Sequence, residues 1–121
     1  MKNLISILVV LSILACNNDD DGIACTQEAR AGLNVTVKDA ATNNYLGIGT
    51  TVVATDGNYS EGLEYMDGII PTFAGAWERE GNYILTISAE GYVTFVSETI
   101  TVTSDECHVI PQQVEALLQP E

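Results

Sequence analysis

Apolar and polar residues alternate along most of the chain with a period of two, the repeat of a pleated strand. The longest such run is Gly81 to Tyr92, in which Tyr83, Leu85, Ile87 and Ala89 share one face while Ile84, Thr86 and Ser88 share the other. Glycines bound it at both ends, so it predicts a central strand. Leu33, Val35 and Val37 predict the inward face of a first strand. The run Asp39 to Asn44 then predicts a turn, because Asp, Thr and Asn side chains bond nearby backbone and tolerate left-handed conformations. Tyr45-Leu46-Gly47 re-enters the fold. Thr50 to Thr55, β-branched except at Ala54, and Tyr59 to Leu63 flank Asp56-Gly57-Asn58, which predicts a hairpin closed by Asp-Gly. Tyr65 to Trp77 lacks a clean period, and Pro71 removes a backbone donor, so this stretch predicts an edge strand or a loop over one end of the core, capped by Trp77. Val93 to Thr103 is strand-like, with Ile100 and Val102 on one face and a break near Ser97-Glu98. Ser104 to Glu106 makes a polar turn. Cys107 to Ile110 and Val114 to Leu118 supply a last strand or pair of strands around Pro111, since five residues after a proline are too few to nucleate a helix.

Short strands joined by turns predict an all-β domain, and 121 residues leave room for one small core. Charge then narrows the partners. Four Lys and Arg face 17 Asp and Glu. Without Lys2 the balance is 3 − 17 = −14, a surface that repels phosphate backbones and excludes nucleic acid as a partner.

The amino terminus adds an address. Met1-Lys2-Asn3 and the apolar run Leu4 to Leu14 form a charged region and a hydrophobic region too short to cross a bilayer as a mature helix. The ending Ile13-Leu14-Ala15-Cys16 resembles the lipobox of bacterial lipoproteins, which implies a signal peptide over residues 1–15 and a diacylglycerol anchor on Cys16, with palmitate among its acyl chains. The following Asn17-Asn18-Asp19-Asp20-Asp21-Gly22 predicts a leash, so residues 16–24 are the lipidated cysteine and an acidic tether. A short acidic run at this point resembles the surface-export signal of lipoproteins in the Bacteroidota. It implies an outer-membrane, cell-surface location. Asn17, Asp19, Asp21, Gly22 and Glu28 also match a calcium-loop spacing, but the first ligand is Asn and no helix can precede a lipidated residue.

Cys25 and Cys107 remain, in a chain bound for an oxidising compartment, and predict a disulfide across the domain of residues 25–121. A zinc site built on Cys25 and Cys107-His108 lacks a fourth ligand and spaces two of them as neighbours. No nucleophile elbow, histidine pair or triad appears in the sequence, and His108, the single histidine, reads as a strand residue. Glu78 and Glu80 would share one face of a strand, where two carboxylates two apart read as a solvated face rather than a glycosidase pair. Tyr65, Phe73 and Trp77 are candidate binding aromatics, with burial in the core as the alternative. No cofactor or metal site is expected.

The order of an opening strand, the central Gly81-Asn82-Tyr83-Ile84-Leu85-Thr86-Ile87-Ser88-Ala89-Glu90-Gly91-Tyr92 strand and a closing apolar strand resembles the carboxypeptidase regulatory-like domain over roughly Leu33 to Gln119. The lead-in Gly75 to Gly81 and the ending Cys107-His108-Val109 are similar to those of small bacterial lipoproteins that carry this domain. The resemblance implies a seven-stranded antiparallel sandwich of transthyretin or immunoglobulin type. It implies no reaction, because the zinc chemistry of metallocarboxypeptidases belongs to a separate catalytic domain. The expected function is therefore a non-enzymatic, membrane-anchored binding or accessory module with an envelope protein or glycan partner. The alternatives are an obligate subunit of an outer-membrane receptor complex and a hydrolase.

Overall fold

A computed structural model describes residues 24–121, and the signal peptide, the Cys16 anchor, the acidic tether up to Ile23 and the calcium-loop positions Asn17, Asp19, Asp21 and Gly22 lie outside the described residues. Ten strands follow one another: β1 (Ala31–Asp39), β2 (Tyr45–Leu46), β3 (Thr50–Asp56), β4 (Tyr59–Gly62), β5 (Glu64–Met66), β6 (Thr72–Trp77), β7 (Gly81–Ala89), β8 (Phe95–Val96), β9 (Ile100–Val102) and β10 (Gln112–Leu118). They form an all-β sandwich. One sheet has the order β10-β1-β6-β5, with β2 beside the far half of β1, and the other runs β4-β3-β7-β8, with β9 beside the near half of β7.

The count of ten corrects the expected seven, and the reason is local. The chain leaves β4 for the opposite sheet as β5 after a single residue, Leu63, whose N–H bonds Val52 O at 2.8 Å. It also breaks between β8 and β9, where the Ser97 hydroxyl takes the Leu85 N–H at 2.8 Å in place of a strand partner. The sandwich is not wholly antiparallel either, because β1 and β10 pair in parallel from Leu33↔Gln112 to Asp39↔Leu118.

Alternation decides what faces inward. Leu33, Val35 and Val37 of β1, Val52 and Ala54 of β3, Tyr83, Leu85 and Ile87 of β7, and Ala116 and Leu118 of β10 are buried between the sheets. Tyr83 carries a hydroxyl into that core, and the hydroxyl bonds the Arg79 carbonyl at 2.9 Å. A tyrosine at the head of a strand bonding backbone a few residues upstream is the tyrosine corner of Greek-key sandwiches. Arg79 is fixed in turn: Nη1 meets Tyr83 Oη at 2.9 Å and Asp56 Oδ2 at 3.1 Å, with the guanidinium 3.6 Å over the Tyr59 ring.

Two turns and one strand refine the sequence reading. Asn43 takes φ 69° in the turn after β1, as its composition predicts. The β3–β4 hairpin turns on Gly57-Asn58 rather than Asp-Gly, since Asp56 pairs with Tyr59; Gly57 alone is left-handed, at φ 61°, as a type II′ turn requires. The unperiodic stretch holds β6, which is an interior strand between β1 and β5 and not an edge. Pro71 stands just before it, where its missing N–H costs no ladder bond.

Candidate functional site

The described residues bring their densest chemistry to the end of the sandwich where β1 begins. Ala31 pairs with Trp77 there, and the chain turns sharply through Glu78, whose backbone is left-handed at φ 50°. Cys25 and Cys107 are joined as a disulfide with Cα atoms 5.3 Å apart, so neither thiol is available to zinc. Beside it His108 lies in a bend, not in a strand, and is 8% exposed. Its Nδ1 meets Glu78 Oε2 at 2.5 Å and its Nε2 meets Thr26 Oγ1 at 2.9 Å. A carboxylate only accepts, so Nδ1–H donates to Glu78, while Nε2 stands within hydrogen-bond distance of the Thr26 hydroxyl.

Glu78 is the hub. Its Oε1 accepts the Val109 N–H at 3.0 Å, and its Oε2 also accepts the Arg30 N–H at 3.0 Å. The His108 bond above all, then the backbone donors, hold its carboxyl below the usual carboxylate range. Asp105 is likewise held low by the N–H groups of His108 and Cys107, which its Oδ1 accepts at 3.0 and 2.8 Å. Glu78 and Glu80 do not form a pair on one strand face, because Glu78 sits in a turn and its carboxylate is committed to His108.

Thr26, His108 and Glu78 thus stand as hydroxyl, imidazole and carboxylate in hydrogen-bonded series, the outward form of an activated nucleophile. They border an open cleft of about 640 Å³. No local pattern hints at this series, because Thr26 and His108 are 82 residues apart. The backbone donors nearest His108 are not free to serve as an oxyanion hole. The two N–H groups beside His108 are spent on Asp105, and Glu28, Asp105 and Glu106 line the same cleft. An oxyanion formed there would face these carboxylates, with the side chains of Gln27 and Ser104 as the neutral donors on the same lining. What the network does accomplish is to fasten residues 25–30, which belong to no strand, onto the sandwich.

The candidate aromatics do not converge. Tyr65 and Phe73 are opposite each other on β5 and β6 with ring centroids 5.3 Å apart, and Phe73 is buried. Trp77 stands at the other end of β6, opposite Ala31 and 42% exposed, so it does not cap the core. The apolar surface that sequence reasoning passed over is at the far end, where Ile48 is 90% and Ile69 fully exposed. The signal was present in Gly47-Ile48-Gly49 and Gly68-Ile69-Ile70-Pro71, isoleucines bracketed by turn residues.

No protein-family model matches this chain, and no curated protein matches it.

Proposed function

We propose that the chain is a lipid-anchored, non-enzymatic β-sandwich that serves as a binding or accessory module at the bacterial cell envelope, of the carboxypeptidase regulatory-like kind. The observation that carries this reading is how the polar groups of the β1 end are used. His108, Glu78, Asp105 and Thr26 are engaged with one another or with backbone, and their combined effect is to fasten the segment that follows the tether. A domain fastened at the point where a leash enters suits a module held on a membrane through Cys16. The tyrosine corner at Tyr83 and the all-β sandwich agree with the family resemblance in fold.

Charge supports the choice of partner class. The three cations among the described residues are each paired with a carboxylate, Arg30 with Glu28, Lys38 with Glu115 and Arg79 with Asp56. Anionic polymers therefore meet no free cation there, whereas a protein or neutral glycan meets no such barrier. The test is expression of the full chain in a bacterial host with labelled palmitate, followed by fractionation and protease shaving of whole cells. Label on the wild type, its loss in Cys16→Ala, and cleavage on intact cells are the expected results. An unlabelled protein in the soluble fraction would refute the anchor, and a labelled protein shielded from protease would refute the surface address.

A further inference from the structure

Two loops meet at the end of the sandwich opposite the tether. Gly47, between β2 and β3, lies so close to the β5–β6 hairpin that a Cβ on it would be 2.9 Å from Tyr65 Oη and 3.4 Å from Pro71 Cβ. This contact sets Ile48 beside the loop that carries Ile69 and Ile70. Ile48 is 90%, Ile69 101% and Ile70 49% exposed. Two isoleucines on neighbouring loops are thus left in water, a setting from which burial against a partner is favourable. The loops are braced: the Tyr65 hydroxyl reaches Asp67 Oδ1 at 3.4 Å, and the Thr72 hydroxyl donates to the Ile70 carbonyl at 3.1 Å.

On its other side Ile48 borders a groove of about 250 Å³ with Leu46, Ala89, Glu90 and Tyr92 along its walls. The groove has an aromatic and aliphatic lining and a carboxylate at its rim. Tyr92 donates to Asp39 Oδ2 at 2.6 Å, which brings a second carboxylate behind the ring. Asp67 adds a third on the opposite loop. The nearest cation, Lys38 at the end of β1, is neutralised by Glu115 at 3.1 Å. The patch is therefore apolar at its centre and negative around it. A second copy of this chain would bring the same negative rim, so self-association is disfavoured.

We propose that the loops at Gly47–Gly49 and Asp67–Pro71, with the groove at Glu90–Tyr92, form the docking surface of this module for a protein segment that presents an apolar side chain flanked by Lys or Arg. The apolar residue covers Ile48 and Ile69. The aliphatic stem of a neighbouring Lys or Arg lies along Leu46 and Tyr92 and delivers its charge to Glu90, a side chain built to bury its stem and keep its head solvated. This rests on the reading of the chain as a binding module, but not on its anchor or its address.

The test uses the full-length protein in lipid nanodiscs and a display library of random peptides. Enrichment of peptides with an apolar residue between Lys or Arg is expected. Amide and methyl shifts on binding should be confined to residues 46–50, 67–72 and 89–92. I48S/I69S should weaken the selected peptide about tenfold, corresponding to roughly 1.4 kcal/mol. E90Q should weaken it several-fold at low salt and little at high salt. Val96→Ser, exposed on the other sheet, should change nothing, and circular dichroism should find all variants folded. No enrichment, peptides without basic residues, or equal binding by I48S/I69S would overturn the proposal. So would broadening of the Ile48 and Ile69 methyls by spin-labelled lipid in the same nanodiscs, which would turn the patch towards the bilayer. If the fractionation experiment finds no lipid, the same display and shift measurements are made on the full chain in solution with the same expected and overturning results, so the two readings fail separately.

Discussion

Removing the Cys25–Cys107 disulfide should destabilise the protein by an amount that depends on whether residues 25–30 stay docked. The bridge spans 82 residues, and closing a loop of that length lowers the entropy of the unfolded chain by about 4.5 kcal/mol at 25 °C. All of that is lost in C25A/C107A if the folded protein keeps the segment in place. If the segment comes free, the bridge in the folded state had closed a loop of only about six residues, and the loss shrinks to (3/2)RT ln(82/6), about 2.3 kcal/mol. The bonds that decide between these are Thr26–His108, Arg30 N–H to Glu78, and Glu78 N–H to Arg30 O at 2.9 Å. The C25A/C107A change should therefore lower Tm by roughly 20 °C in the wild-type background, and by about half of that when His108→Ala is already present. Thermal melts of the four proteins followed by circular dichroism form a double-mutant cycle with a coupling of about 2 kcal/mol. Equal losses in both backgrounds would refute the docking role of His108. A loss of only a few degrees in either would refute loop closure as the origin of the effect.

The Glu78 carboxyl is held below its ordinary value of 4.5 when folded, so the stability it contributes is present above that pH and is lost as pH falls through its lower folded value. Glu78→Gln should be less stable than wild type at neutral pH, with the gap closing in acid, which chemical denaturation across pH 2 to 7 would measure. Tyr83→Phe removes the hydroxyl from the Arg79 carbonyl and guanidinium and should cost about 1–3 kcal/mol in urea unfolding with an unchanged m-value. Gly32→Ala would set a Cβ 2.8 Å from Val102 Cγ1 and 3.0 Å from the Ala76 carbonyl, and should cost a similar 1–3 kcal/mol by overpacking. His108→Ala should speed tryptic cleavage after Arg30 while leaving any background hydrolysis of activated esters unchanged; a fall in ester hydrolysis would revive the Thr26–His108–Glu78 series as an active site.

Much of the sandwich was legible because alternation is a local signal. Tyr83, Leu85 and Ile87 are buried together as their spacing predicts, Leu33, Val35 and Val37 likewise, and the break at Ser97-Glu98 falls between β8 and β9. β6 was harder to see. Its run Phe73 to Ala76 is buried at every position, because Ala74 and Gly75 are covered as well as Phe73, and full burial erases the alternation. Gly75 is covered closely, since a Cβ there would be 2.7 Å from the Glu61 carboxylate and 2.8 Å from Leu63. The His108 network had no local signal, because Thr26, Glu78 and His108 come from three distant stretches and meet only when the sandwich closes. The disulfide was legible from cysteine arithmetic, and the Glu78–His108 contact beside it was not.

The bridge between Cys25 and Cys107 also makes the domain a covalent ring. Every residue from 26 to 106 is attached to Ala24 by two routes, forward from Cys25 and backward from Cys107. Pull on the loops at Ile48 or Ile69 is shared between two chains rather than borne by one. A single cut anywhere in the ring detaches nothing, and the three Lys and Arg of the described residues, Arg30, Lys38 and Arg79, all lie inside it. A trypsin-like protease can nick this protein after any of them and leave the two pieces joined through the bridge.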